Sequence, residues 1–273
     1  MNSLVTYLFN DKKQSREITW FRNALYLFLL YKVLIYCLQF DILFSNGSLI
    51  YHRKLFTGLV SDLAYVLINY YNSYAGIGII ALIGIIVVAG LLKKTGYLAN
   101  ILLWIAMINV SNFLYPTLTA GDYLLHQLLF FNIFFNPKPS ANTWINDVKI
   151  SFHNAALAGI KLQICIAYFF AAWFKLTDQS WLDGSAVYYT FQIPQYSNDL
   201  LSIIPLSLCK VLTYITLSYQ LLFPFLIWIR PIKIYLLTFG IIQHLIIAFG
   251  MGLFTFGIIM IICYILFLKY DNK

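Results

Sequence analysis

Residues 155 to 174 read AALAGIKLQICIAYFFAAWF, with no acid and a single internal cation, Lys161. Twenty such residues match the length of a helix crossing about 30 Å of hydrocarbon. The run reads as an apolar helix. Around it, Asp147, Asn154, Lys161, Tyr168 and Lys175 recur every seven residues. Seven residues are nearly two helical turns, so the five lie on one slowly drifting stripe. A charged group facing lipid costs several kcal/mol by most estimates, about 3 at the helix centre on insertion scales. The stripe is therefore expected to face protein or a water-filled cavity.

The rest of the chain has the same character. Its 273 residues are 61% hydrophobic and only 10% charged, against about 25% charged for soluble domains. This predicts an all-α polytopic membrane bundle in the cell membrane. The net charge of +8 comes from short basic clusters between apolar runs, a topology signal rather than a nucleic-acid footprint. Cys37, Cys165, Cys209 and Cys263 stand singly, with no CxxC and no Cys/His ligand spacing. They read as small core residues, and no metal site is expected.

Eight spans are expected. Residues 1–17 form a cationic N-terminal segment, 18–268 a single transmembrane domain and 269–273 a tail. The first span covers about residues 18 to 44 and carries Lys32 at mid-depth, about 15 Å beyond Arg22 at 1.5 Å per residue. Lys32 reads either as a functional group or as one half of a quiet pair. The loop HRKLFTGLVSDL and the aromatic approach YVLINYYNSY lead to a second span at 76–92, whose Gly76 and Gly78 form a GxG with no strand before it. Close helix packing explains those glycines better than a dinucleotide site. The third span runs from 97 to 114 and stops before Pro116. A short fourth at 122–135 contains His126, either a proton carrier or a structural histidine, with Gln127 and Asn132. A polar loop at 136–149 precedes the fifth span, in which His153 reads as structural. A connection of about thirty residues, long for a compact domain, carries the aromatics of a segment at headgroup level. The sixth span is 205–229, and 232–249 with 253–268 form a final hairpin bent at Gly250 and Gly252.

The cations agree with this count. With a cytoplasmic N-terminus, Lys12, Lys13, Arg16, Arg22, Lys93, Lys94, Lys138, Lys149, Arg230, Lys233, Lys269 and Lys273 fall inside, and only Arg53, Lys54, Lys175 and Lys210 fall outside. The bias places both termini in the cytoplasm and the long connection on the outer side.

The stretch YFFAAWFKLTDQSWLDGSAVYY, residues 168 to 189, resembles the HTTM family of integral membrane proteins, which includes the vitamin K-dependent gamma-carboxylases. There a transmembrane helix ends in Lys-Leu, followed by an acid, a Trp and an Asp/Glu-Gly pair. QHLIIAFGMGLFTFGIIMI, residues 243 to 261, is similar to the family's late helix, and TAGDYLLHQLLFF, residues 119 to 131, is a weaker match. The resemblance implies a short bacterial-type form without the lumenal domain. It implies Lys175 as a base and a quinol as cofactor, and some relatives of the short form are associated with peptide-toxin maturation. The spacing from Lys175 to Trp181 is one residue longer than in the carboxylase branch.

A lysine near its unperturbed pKa of about 10.4 is protonated at neutral pH, so a basic role requires burial. Lys161, about 21 Å earlier on the helix, is too far to assist. The plain alternative is a lysine that snorkels and pairs with Asp178 or Asp183. His244 divides between a packing histidine and a pocket residue. Two readings stand. In the enzyme reading, an outer-half pocket of Lys175, Trp181, Asp183 and His244, with Tyr168 and Lys161 also contacting substrate, acts on a lipid-soluble quinol or a peptide. Lys175 is its base and His244 a hydrogen-bond donor to the developing anion. In the binding reading, the protein is a non-catalytic membrane partner for a secreted peptide or another membrane protein. A transporter is weaker, since no internal repeat is visible.

Overall fold

The computed structural model describes residues 16–44, 73–135 and 143–268. The loop HRKLFTGLVSDL, most of the aromatic approach and the two terminal tails lie outside them. Every regular element among the described residues is helical. Four helices are long and apolar enough to cross a membrane: Arg16–Leu38, Trp144–Lys175, Leu206–Leu226 and Arg230–Gly250. This makes the chain an all-α membrane protein. The apolar helices Gly76–Leu91, Tyr97–Phe113 and Phe254–Phe267 are shorter. The fold divides into two compact units, Met1–His153 and Asn154–Lys273.

The first unit contains α1 (Arg16–Leu38), the short α2 (Phe40–Phe44), α3 (Ser73–Leu91), α4 (Tyr97–Phe113) and α5 (Ala120–Asn132). Helix α3 packs on α1 and α4, and α4 on α5. Close approach of α1 and α3 depends on Gly90, where a Cβ would meet the Tyr26 ring at 2.6 Å. The expected first span is interrupted at Gln39, so that residues 40 to 44 form a separate turn of helix. The expected fourth span corresponds to α5. Its thirteen residues reach only about 20 Å, short of the bilayer core.

Two cations of α1 hold α5 by its ends. Lys32 Nζ is ion-paired with the carboxylate of Asp122. The other carboxylate oxygen accepts from Thr119 N and Thr119 Oγ1, both at 2.9 Å, which caps the first turn of α5. At the far end, Arg22 donates to the Phe135 carbonyl at 3.1 Å, where a cation complements the negative pole of α5. Arg22 also donates to Thr95 Oγ1 at 3.2 Å. Tyr26 donates to Asn100 Oδ1 at 2.8 Å and accepts from Asn132 Nδ2 at 3.2 Å. Lys32 thus takes the paired reading, with a partner ninety positions away in sequence.

Helix α6 (Thr143–Lys175) corrects the expected polar loop at 136–149, since residues 143 to 149 are helical. TWINDVK holds no Gly or Pro, so nothing in it stops a helix from running past the apolar run. Residues 136–142 lie outside the described chain. The second unit continues with α7 (Gln179–Leu182), α8 (Ala186–Phe191), α9 (Asp199–Ser202), α10 (Leu206–Leu226), α11 (Arg230–Leu245) and α12 (Phe254–Tyr264). The expected long loop is therefore built of short helices. A five-residue π-helical segment, Ile246–Gly250, follows α11, and Gly252 turns the chain at φ +72°.

Replacing Asp122 with Ala should cost about 3 to 5 kcal/mol, because it strands the Lys32 charge. The double variant Lys32→Met with Asp122→Ala should recover most of that loss. Thermal unfolding in detergent micelles compares the two; a double variant no more stable than the single one would show that the pair is not what holds α5.

Candidate functional site

The stripe of α6 turns largely inward. Asn154 is 0% and Tyr168 4% exposed, Lys161 and Lys175 are half-buried, and Asp147, below the apolar run, is exposed. The exposed apolar residues Leu162, Ile166, Phe170, Trp173 and Phe174 recur at three- to four-residue spacing, as a lipid-facing surface requires.

The candidate residues fall into separate groups. Lys175 Nζ lies 4.8 Å from the centre of the Trp181 ring and donates to its own helix at Ala171 O, 3.4 Å away. It meets no carboxylate within ion-pairing distance among the described residues, and the two acids that follow it in sequence are engaged in turns. Asp178 Oδ1 accepts from Ser180 N at 2.8 Å and Ser180 Oγ at 2.7 Å, capping α7. Asp183 Oδ1 accepts from Ser185 N at 2.8 Å and Ser185 Oγ at 2.5 Å. These hydrogen bonds, the serine hydroxyl's first, hold both carboxyls below the ordinary aspartate value of 3.8, so both are anionic at neutral pH. Gly184 follows at φ +85°, with Tyr214 Cε2 only 3.0 Å from a notional Cβ. Tyr214 donates to Leu182 O at 3.0 Å, and Val187 N donates to Thr213 Oγ1 at 3.2 Å. The Trp-Leu-Asp-Gly sequence thus makes a turn that docks the connection on α10. Lys161 Nζ lies 5.8 Å from the Phe267 ring centre.

Deeper in the unit, Tyr168 and His244 come together, with Tyr168 Oη 2.7 Å from His244 Nε2. Two tyrosines that sequence reasoning passed over complete the centre. The Tyr168 hydroxyl is hydrogen-bonded to that of Tyr264; Tyr264 Oη is 3.1 Å from Tyr219 Oη, and Tyr219 donates to Leu236 O at 3.2 Å. Phe223 packs on this group with its ring tilted and its centre 4.4 Å from that of Tyr168, and Phe256 packs edge-on to His244 at 5.6 Å. Gly240 makes room for it: a Cβ there would collide with the hydroxyls of Tyr219 and Tyr264. Gly257 lets α12 approach the His244 carbonyl in the same way.

Counting hydrogens assigns the tautomer. The four bonds from Leu236 O through Tyr219, Tyr264 and Tyr168 to Nε2 need four hydrogens, and three phenols supply three. The fourth is an N–H on Nε2. All four bonds then point one way, from His244 toward Leu236. The single N–H of neutral His244 is committed to Tyr168, and Nδ1 is left as a bare acceptor. Nδ1 is buried and has no hydrogen-bond partner among the described residues.

No family model, curated protein or solved structure matches the chain. The site therefore rests on its own chemistry: a neutral, directional centre deep in the unit, and a cation on an indole face near the end of α6.

Gly240→Ala should force the tyrosine hydroxyls off their positions at a cost of about 1 to 3 kcal/mol. Tyr264→Phe in that background should return part of the loss by removing one of the two colliding oxygens. Unfolding midpoints of the two variants decide this, and a Gly240→Ala protein as stable as wild type would contradict the packing described.

Proposed function

We propose that the protein is an HTTM-like membrane protein with eight spans and cytoplasmic termini, and that its second unit performs acid–base work on a lipid-soluble quinol or a peptide. The observation that carries this is the Tyr168–His244 hydrogen bond. It joins the two stretches, 168 to 189 and 243 to 261, on which the HTTM resemblance rests. Intramembrane ionisable groups are costly unless paired or used. On this reading Lys175 takes the proton from the ligand. The Tyr–His centre fixes the late helix against α6, and the turn at Asp183 and Gly184 keeps Trp181 over the lysine.

A second reading has its own support. Lys175 faces Trp181 and makes no ion pair among the described residues, as suits an ammonium presented to an anionic group of a peptide or membrane partner. A guanidinium keeps its charge and cannot act as a base, so Lys175→Arg separates the two readings. In complementation of a deletion strain, catalysis requires Lys175→Ala and Lys175→Arg both to fail, at wild-type abundance and melting temperature. Binding requires Arg to restore at least part of the function. Cysteine labelling at positions 94 and 198 tests the eight spans, which need the two on opposite sides of the membrane.

A further inference from the structure

In the first unit, helix α3 is held close to α1 at one end and to α2 at the other. Gly90 lies against Tyr26, where a Cβ would be 2.6 Å from the ring, and the Phe40 ring covers Gly76 at 3.4 Å from a notional Cβ. Between these contacts lies an apolar trough of about 550 Å³, walled by Val33, Cys37 and Phe40 on one side and Ile77, Gly84 and Val88 on the other. That volume is in the range of small-molecule sites, roughly 300–1,000 Å³, which normally add a few placed polar groups. Among the described residues no charged, hydroxyl or amide side chain lines the trough, so nothing in it would orient a polar molecule.

Its dimensions choose among apolar occupants. From Ile77 to Val88 it follows eleven positions of α3, about 16 Å at 1.5 Å per residue, and half of the hydrocarbon core is about 15 Å. The volume over that length leaves a section about 6 Å across, too narrow for a helix of about 10–12 Å. A hydrocarbon chain fits it, with carbons touching the walls at about 3.5–4.0 Å; left empty, the walls would forfeit those contacts. Cys37, Ile77 and Val88 are exposed, so the trough opens sideways to the bilayer.

We propose that the α1–α3 trough is a lipid site holding one acyl chain of a bilayer phospholipid. The chain comes from the leaflet on the α2 side, and its methyl end stops where Tyr26 meets Gly90. The site belongs to the first unit alone and stands whatever Lys175 does.

The test uses the full chain in phosphatidylcholine nanodiscs doped with a phosphatidylcholine whose acyl chain carries a diazirine at mid-length. After irradiation, peptide mass spectrometry should find adducts concentrated on Val33, Cys37 and residues 77–88. Leu27 and Leu34, exposed on α1 but outside the trough, should carry few. Gly84→Leu should abolish the concentration by filling the trough. A Cβ at Gly84 meets only Val33, at an ordinary 3.6 Å, so the melting temperature should hold. If that variant does not fold, Ala81→Leu, on the same wall, takes its place. Adducts spread evenly over all lipid-facing residues, as annular lipid alone would give, overturn the proposal, and so does a concentration that survives filling. A second copy as occupant would appear instead as dimers cross-linked through Cys37 by copper phenanthroline, since the other three cysteines are buried. That outcome also overturns it.

Discussion

Hydrocarbon offers no hydrogen bonds, and the polar contacts of this protein are arranged around that lack. Lys32 on its own would be an ammonium in the middle of α1. Bonded to Asp122, it becomes half of a pair whose other half also caps α5. Three phenols and an imidazole within the second unit meet the same difficulty by bonding to one another, with the last hydroxyl ending on a peptide carbonyl. In both units the partners come from segments far apart in the chain, so each polar group fixes where a distant helix must pack. Pairing of this sort specifies position more than it adds stability.

Glycine supplies the geometry those pairings need. Tyr26 lies against α3 only because Gly90 has no side chain, and the hydroxyls of Tyr219 and Tyr264 reach the backbone of α11 only because Gly240 has none. With lipid outside, helices gain little by hiding apolar surface from one another, and close backbone approach with interhelical hydrogen bonding takes over. The two effects coincide at Gly240, where the small residue is also what admits the bonded hydroxyls.

Sequence periodicity was enough to find the stripe of α6, because a seven-residue spacing of polar residues in an apolar run stands out. Lys32 was visible for the same reason. Its partner was not, since Asp122 looks like the ordinary first-turn acid of α5, which it also is. Tyr219 and Tyr264 were missed because an aromatic within an apolar helix reads as packing. The signal available was that they are Tyr rather than Phe at mid-helix, where a hydroxyl has a desolvation cost that Phe avoids. The π-helical segment left no trace beyond the glycines expected to bend the hairpin. The helical start of α6 at Thr143 was hidden because apolarity marks where a span enters the membrane, not where the helix begins.

The placement of charge in the second unit follows its cost with depth. Lys175 closes α6, where the carbonyl end of the helix favours a cation and the Trp181 face receives it. Two turns earlier, about 10 Å along the axis, Tyr168 enters a centre built of neutral groups, where a formal charge would be far more expensive to hold. The anions Asp178 and Asp183 sit on the far side of Lys175, bound into turns of the exposed connection. Going inward, the unit therefore presents fixed anions, then a lysine, then neutral donors ending in a bare imidazole nitrogen.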